Sequence, residues 1–431
     1  MRIRGTRGRR VFRAIGAGLV AMLAWAGLVA YGTFNGWWHR AIAPAGDDRA
    51  FAAAAVRVLG SEPHGDLALV LIRQGEVVAE HYAGREQDVD RDTVFQTASM
   101  SKWITALGVM SLVRQGAIDL DAPISRYTKR WSLPASAFDH QGVTIRRLLS
   151  HTAGLTDGLG FGDYGLDEPV PAIEETLRHP RASSGRDAII QVGYAPGSDW
   201  RYSGGGYLLL QLAIEEHEGE EFESFMRRTL FLPLGLTRSS FADVQGASNR
   251  ARPYDADNGS ATRFRYAAAA ATGFTTSAAD MIRLVRAVSG KRPLPPFDAA
   301  TVKAMRKPHG HQFGADIWGL GTMLYAPTQS GDYVYGHDGQ NDPALNAAVR
   351  INPDSGDAII VLTSGGRAPA TRIASEWTYW QTGVPDFLAF GGAIQEAMAP
   401  LFAGIAALFV LTTLFLWTSL RRRGPTAQAA S

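Results

Sequence analysis

The 431-residue chain contains no cysteine, which excludes disulfides, thiol nucleophiles and cysteine-ligated zinc and leaves the compartment to be read from elsewhere. Charge is sparse as well: 19% of residues are Asp, Glu, Lys or Arg, and the formal balance of +2 gives no bias toward nucleic acid. No Lys/Arg stripe interleaved with aromatics crosses the central region, so no nucleic-acid partner is expected. Only five lysines are present, at 102, 129, 291, 303 and 307, and Lys102 alone has a serine three residues before it. The 46% hydrophobic content suits a folded domain with some membrane segment, and no internal repeat is found.

Two long uncharged runs frame the chain. Residues 1–13 carry six arginines, and Ala14 to Trp38 then runs 25 residues without a charge, closing on Trp37-Trp38. At ~1.5 Å per residue that is enough to span a ~30 Å hydrocarbon core. The run is too long for the apolar core of a cleaved signal peptide, and Ala26-Gly-Leu-Val-Ala30 fits a small-x-small cleavage site poorly, so a retained anchor is expected. Met398 to Leu420 gives a second uncharged run of 23 residues, followed by Arg421-Arg422-Arg423. Arginines flank the first run on its N-terminal side and the second on its C-terminal side, so the positive-inside rule puts both ends in the cytoplasm and everything between outside. The expected organisation is a basic N-terminus (1–13), a transmembrane anchor (14–38), a folded domain (45–385), a second transmembrane helix (398–420) and a cytoplasmic tail (421–431).

Within the central region, Phe95-Gln-Thr-Ala-Ser-Met-Ser-Lys-Trp103 sets Ser99 three residues before Lys102, and Ile104, Leu107, Met110 and Val113 follow at helical spacing up to Gly116. Residues three apart share a helix face, so the Lys102 amine can reach the Ser99 hydroxyl in the first turn. A lysine removes a serine's proton only when its pKa falls far below ~10.4, through burial or a neighbouring cation. Alone, the pair also fits an ordinary helix that happens to carry both residues.

Phe51–Leu59 reads as a helix, and Asp66–Gln74 with Glu76–Tyr82 as a hairpin about Gly75. Leu148–Leu155 ends a helical run and opens a glycine-rich loop, Thr156–Gly165. The stretch Gly158-Leu-Gly-Phe-Gly162 in that loop has no strand before it and no helical pattern after it, which argues for a loop over a site and against a phosphate cradle. Residues 183–230 read as helical apart from Ala195-Pro-Gly-Ser198, and Ala278–Val288 as a helix before the proline-rich loop Arg292–Phe297. Tyr333–His337, Leu345–Ile351 and Ala358–Ser364 read as strands, the last after the turn Asn352–Gly356. Strands at both ends with helices between predict one α+β domain whose sheet joins the first and last thirds.

Tyr202-Ser-Gly204 and His337-Asp-Gly339 follow Ser99-Met-Ser-Lys102 in the chain. In this order and at these separations the three resemble the Ser-x-x-Lys, Tyr-Ser/Ala-Asn and Lys/His-Thr-Gly motifs of the serine β-lactamase and D-alanyl-D-alanine carboxypeptidase superfamily, in its branch of class C β-lactamases, D-peptidases and related esterases. Leu148–Leu155, Pro233-Leu-Gly-Leu236 before Ser239-Ser-Phe241, and Gly273–Asp280 extend the resemblance over roughly residues 50–366. It implies an antiparallel sheet flanked by helices with a helical subdomain. It further implies Ser99 as the nucleophile of an acyl-enzyme, Lys102 and Tyr202 sharing general-base work with depressed pKa values, and the backbone N–H groups of Ser99 and Gln340 as oxyanion hole. Gly204, His337, Asp338 and Gly339 would border the substrate, Gly339 leaving room for it along the strand. No metal or organic cofactor is implied. The partners expected are a small-molecule or peptide-like acyl substrate and a membrane, placing the chain in a bacterial inner (cytoplasmic) membrane with its catalytic domain periplasmic or extracellular.

Departures from the motifs bear on substrate. Gly204 stands where asparagine would bond a substrate amide, and His337 stands for lysine and would hold Tyr202 or a substrate carboxylate only when protonated. Asp338 stands for threonine, where a carboxylate would repel an anionic penicillin unless strand alternation points it away. The expectation moves from a β-lactamase to a hydrolase or acyl-transferase of an ester or peptide-like substrate. Gly204 and Asp338 motivate the alternative, a weakly catalytic or inactive receptor of cell-wall fragments or β-lactams. His309-Gly-His311 has no further ligand three or four residues away and reads as a surface loop, not a metal site. His151 reads as bonding loop backbone, and Trp377–Trp380 as packing a C-terminal helix on the sheet or near the membrane.

Overall fold

A computed structural model describes residues 4–157, 163–181, 189–242, 248–289, 294–341 and 344–421. The stretch Gly158–Gly162, residues 183–188, the opening of the proline-rich loop and the tail beyond Arg421 lie outside the described residues. The principal helices are α1 (Arg4–Phe34), α2 (Asp48–Gly60), α3 (Ser101–Arg114), α4 (Gly204–Glu218), α5 (Ala278–Ser289), α6 (Pro369–Thr382) and α7 (Gly391–Arg421). Eight strands make the main sheet: β1 (Leu67–Arg73), β2 (Glu76–Ala83), β3 (Gly310–Gln312), β4 (Ala315–Trp318), β5 (Met323–Pro327), β6 (Tyr333–Asn341), β7 (Leu345–Ile351) and β8 (Ala358–Thr363).

The chain forms two compact units, residues 41–382 with 386–388, and residues 1–40 with 383–385 and 389–431. The second of these holds α1 and α7. Gly8–Phe34 and Gly391–Arg421 are each long and apolar enough to cross a membrane. Helix α1 ends at Phe34, so Trp37 and Trp38 lie in the turn beyond it, where Trp38 Nε1 bonds back to Val29 O at 3.1 Å. Trp25 donates its indole N–H to Pro400 O (3.1 Å) and fills the space a Cβ on Gly404 would need.

The larger unit is α+β. Its sheet runs in the order β2-β1-β8-β7-β6-β5-β4-β3, every neighbour antiparallel, so the first and last thirds of the chain meet where β1 pairs with β8. Period-two alternation sends Ala68, Val70 and Ile72 of β1 into one core with α3 and α4, and Leu67, Leu69 and Leu71 into another with α2 and α6. A sheet covered on both faces explains why β7 and β8 are apolar almost throughout. Helix α3 is buried from Ser101 to Leu112 on every side, with Ser101, Lys102, Thr105 and Ser111 among otherwise mostly apolar residues. Asp47 caps α2 by accepting Ala50 N–H at 2.9 Å, and Trp377 of α6 is buried against the sheet. Asp280 at the start of α5 accepts Arg238 N–H (2.7 Å) and Ser239 Oγ–H (2.9 Å), so two separated sequence signatures meet.

Two regions differ from the sequence reading. Residues 189–203 are not helical: Val192 bridges Leu155 in a short antiparallel pair, Gly197 takes φ +90°, and helix begins only at Gly204, capped by the Ser203 hydroxyl on Gly206 N–H at 2.9 Å. Ile189, Ile190 and Val192 are apolar residues that a helix could bury, but Gly193, Pro196 and Gly197 interrupt any helix here. The three strands between 310 and 327 are too short for a visible alternation, and His311 sits on β3 bonded to Asp316 at 2.6 Å instead of in a loop.

Candidate active site

Ser99 is presented by a turn that the surrounding backbone forces into shape. Ala98 has φ +45°, the left-handed region that costs an L-residue of order 1–2 kcal/mol, and a single 3₁₀ turn, Ala98–Met100, runs from it into α3. Thr97 donates both N–H (3.1 Å) and Oγ–H (2.9 Å) to Phe274 O, while Ser101 Oγ donates to Ala98 O (2.6 Å) and accepts Phe274 N–H (2.9 Å). These bonds pin the turn on both sides of Ser99. Ser99 itself is half-buried, which leaves its hydroxyl open to a substrate.

Lys102, in the first turn of α3, is 1% exposed. Its Nζ lies 3.3 Å from Ser99 Oγ and donates at 2.9 Å to Ala271 O, a carbonyl at the C-terminal end of the short helix Ala269–Thr272. Burial pushes its pKa down to about 7, opposed by the negative charge of Asp157. An amine of that pKa is substantially neutral at physiological pH and can take a serine proton. Tyr202 lies beside Ser99, with its ring centroid 4.7 Å from Lys102 Nζ. The expectation of a depressed Tyr202 pKa is corrected: desolvation raises it, because the half-buried phenol is surrounded largely by protein and a phenolate would be poorly solvated. At neutral pH Lys102 is thus available as a proton acceptor while Tyr202 stays a neutral phenol.

The third motif lies on β6, paired with β7 in the register His337↔Val349, Asp338↔Ala348, Gly339↔Ala347 and Gln340↔Asn346. A Cβ on Gly339 would fall 1.8 Å from Thr97 O and 3.1 Å from Met100 N, so this strand runs directly against the serine's turn and brings Gln340 beside it. His337 is fully buried, and its Nδ1–H donates to Asp338 O at 2.5 Å. Burial drops its pKa to about 3, so the charged role foreseen for it does not arise at neutral pH. Asp338 is not a substrate-binding residue. Alternation turns its carboxylate to the other sheet face, where it pairs with the guanidinium of fully buried Arg350, which also bonds Asp386 at 3.0 Å. The Asp338 charge is thereby neutralised away from the site.

Sequence reasoning missed Asp157 and the aromatic wall. Asp157 accepts Ser203 Oγ–H (2.6 Å) and Gly205 N–H (2.8 Å), standing behind Gly204 in the second motif; burial raises its pKa. Its place at the mouth of the glycine-rich loop was the available signal. Trp200, Tyr207 and Trp318 close the back of the site around His151 and Tyr202. Among the described residues no group of three or more His, Asp or Glu side chains is arranged to hold a metal ion.

A half-exposed serine hydroxyl bonded to a buried lysine and flanked by a half-buried tyrosine, at the junction of an antiparallel sheet and a helical layer, is the arrangement of a serine hydrolase. Residues 51–382 match the Beta-lactamase family, and the chain belongs to it. It is 29% identical to Esterase EstB of Burkholderia gladioli over 67% of this chain and 83% of that protein, and 30% identical to penicillin-binding protein 4 of Amycolatopsis lactamdurans over 65% and 74%. The match to penicillin-binding protein 4* of Bacillus subtilis, at 28% identity, takes in 42% of this chain and only 39% of that protein. Among solved structures, the octameric penicillin-binding protein homologue from Pyrococcus abyssi shares the fold with a TM-score of 0.63 at 23% identity, over 77% of this chain and 76% of that one. The D-amino acid amidase from Ochrobactrum anthropi SV3 does so with 0.58 at 20%, over 82% and 99%.

Proposed function

We propose that the chain is a membrane-anchored hydrolase acting through a Ser99 acyl-enzyme, with neutral carboxylic esters as its preferred substrates. The observation that carries this reading is the half-exposed Ser99 hydroxyl held between Lys102 Nζ, at 3.3 Å, and the Tyr202 phenol. Neutral Lys102 takes the Ser99 proton as Oγ attacks the carbonyl carbon. The backbone N–H groups of Ser99 and Gln340 receive the oxyanion, and Gly339, packed on Thr97, keeps strand and turn close enough for both to act. The proton passes through Tyr202 to the leaving oxygen, the acyl group stays on Ser99, and a water activated by the same pair releases it.

The site's chemistry favours an uncharged substrate. Asp157 acts electrostatically on Lys102, and Gly204 offers no side-chain amide, so an anionic β-lactam gains little and meets a carboxylate. Esterase EstB carries the corresponding activity in its name. The apolar α1 and α7, with arginines outside each, support anchoring in a bacterial cytoplasmic membrane, both termini inside and the catalytic domain outside.

The test is intact-mass labelling of the full chain with a fluorophosphonate, beside Ser99→Ala and Lys102→Ala, followed by turnover of p-nitrophenyl esters and nitrocefin. One adduct, lost in both variants, with ester turnover exceeding that of nitrocefin, is the expected result. A folded wild type that takes no adduct would replace this reading with that of a non-catalytic receptor. Single cysteines introduced near each end, in a chain that has none, report topology through an impermeant maleimide.

A further inference from the structure

His151 touches none of the reacting atoms, yet it grips the chain on either side of Tyr202. Its carbonyl accepts Arg201 N–H at 2.7 Å, and its Nδ1 accepts Ser203 N–H at 3.1 Å. The residue between those two amides is Tyr202, and its ring lies over the imidazole with centroids 4.4 Å apart and planes 33° apart. Two features of His151 cost stability. Its backbone is left-handed, with φ +57°, and its buried Nε2 has no hydrogen-bond partner among the described residues. An orphaned buried N–H costs about 1–3 kcal/mol, which an apolar ring of the same size would avoid. What such a ring lacks is the Nδ1 acceptor.

We propose that His151 is the positioning residue for Tyr202, fixing the phenol against Ser99 by clamping the backbone amides of Arg201 and Ser203 and stacking on the ring. The proposal rests on the reading of Tyr202 as proton carrier given above. Because Nδ1 accepts, the working form is the neutral tautomer protonated at Nε2. The titratable groups facing the ring are Lys102 from α3, His337 from β6, and Tyr202 and Tyr207 on either side of the start of α4, with Trp200 and Trp318 as its other aromatic neighbours. Burial, Lys102 and His337 all oppose a positive charge on the ring, so the clamp persists across the working pH range. Releasing it lets the phenol drift, and a displacement of about 1 Å costs on the order of 100-fold in rate.

The experiment measures the fluorophosphonate acylation rate of the full chain in detergent for His151→Leu and His151→Asn. Leucine fills the volume and removes the acceptor; asparagine keeps an acceptor near Nδ1 and tolerates positive φ. Acylation in the leucine variant should fall about 100-fold with the probe's apparent affinity nearly unchanged, and asparagine should recover at least about tenfold of that loss. Hydrogen exchange at the amides of Arg201 and Ser203 should speed up in the leucine variant and slow again in the asparagine variant. Equal losses in both variants, or leucine-variant amides protected as in the wild type, would overturn the proposal. If wild type takes no label, the hydrolase reading falls, while the exchange measurement still decides the clamp. If the leucine variant does not fold, His151→Asn alone decides: a rate within about tenfold of wild type is expected, and a loss as large as that of Tyr202→Phe overturns it.

Discussion

Lys102→Met should make the protein more stable while abolishing its chemistry. Lys102 is 1% exposed, and its pKa falls from 10.5 to about 7 on folding. The native state then binds fewer protons than the unfolded chain, so stability is lost as pH falls and regained as it rises from about 7 toward 10.5. At ~1.36 kcal/mol per pH unit, the buried amine costs the fold about 4 kcal/mol at pH 7. Methionine has nearly the same reach and carries no charge. It forfeits the bonds to Ala271 O and Ser99 Oγ, about 1–2 kcal/mol, which leaves a net gain of roughly 2–3 kcal/mol at pH 7. For a domain of this size that is about 4–6 °C in thermal midpoint. The gain should shrink by about 1.4 kcal/mol per pH unit and vanish near about pH 9. Denaturant titrations of both proteins at three pH values between about 6.5 and 9.5 measure it. A variant less stable than wild type at neutral pH, or a difference that does not change with pH, would refute the idea that burial has stripped this lysine of its charge.

Asp157→Asn removes the charge that holds the Lys102 pKa up, so the rising limb of the acylation pH profile, near pH 7 in the wild type, should move to lower pH by roughly half a unit or more; a shift upward would contradict the assignment. Gly339→Ala drives a methyl against Thr97 O, where 1.8 Å separates the atoms before any adjustment, and should cut fluorophosphonate labelling by on the order of 100-fold; labelling at the wild-type rate would show that β6 does not set the geometry of the serine's turn.

The parts of the site that are local in sequence were legible there. Helical spacing suggested that Ser99 and Lys102 face each other, and the ordered motifs singled out that pair and Gly339, because each depends on a few adjacent residues. The hairpin of β1 and β2 and the strands β6 to β8 were legible from alternation and turn residues. The partners that tune those groups come from elsewhere in the chain and leave no local pattern. Asp157 meets Ser203 and Gly205 across a loop, and the aromatic wall draws Trp200, Tyr207 and Trp318 from three segments. Charge states were the least legible, since a histidine or tyrosine motif reads identically whether its surroundings are wet or dry. His337 is fully enclosed and Tyr202 poorly solvated, and in both desolvation opposes the charged form.

The buried pairing of Asp338 with Arg350 constrains how this site can be remade. Threonine at 338 would leave Arg350, fully enclosed, with Asp386 as its remaining carboxylate partner. An approach to a Lys-Thr-Gly third motif by single steps therefore passes through a destabilised intermediate, and changes at 338 and 350 should combine non-additively. The middle letter of the motif belongs energetically to the far side of the sheet, and a library that varies position 338 without varying position 350 should be enriched in destabilised variants.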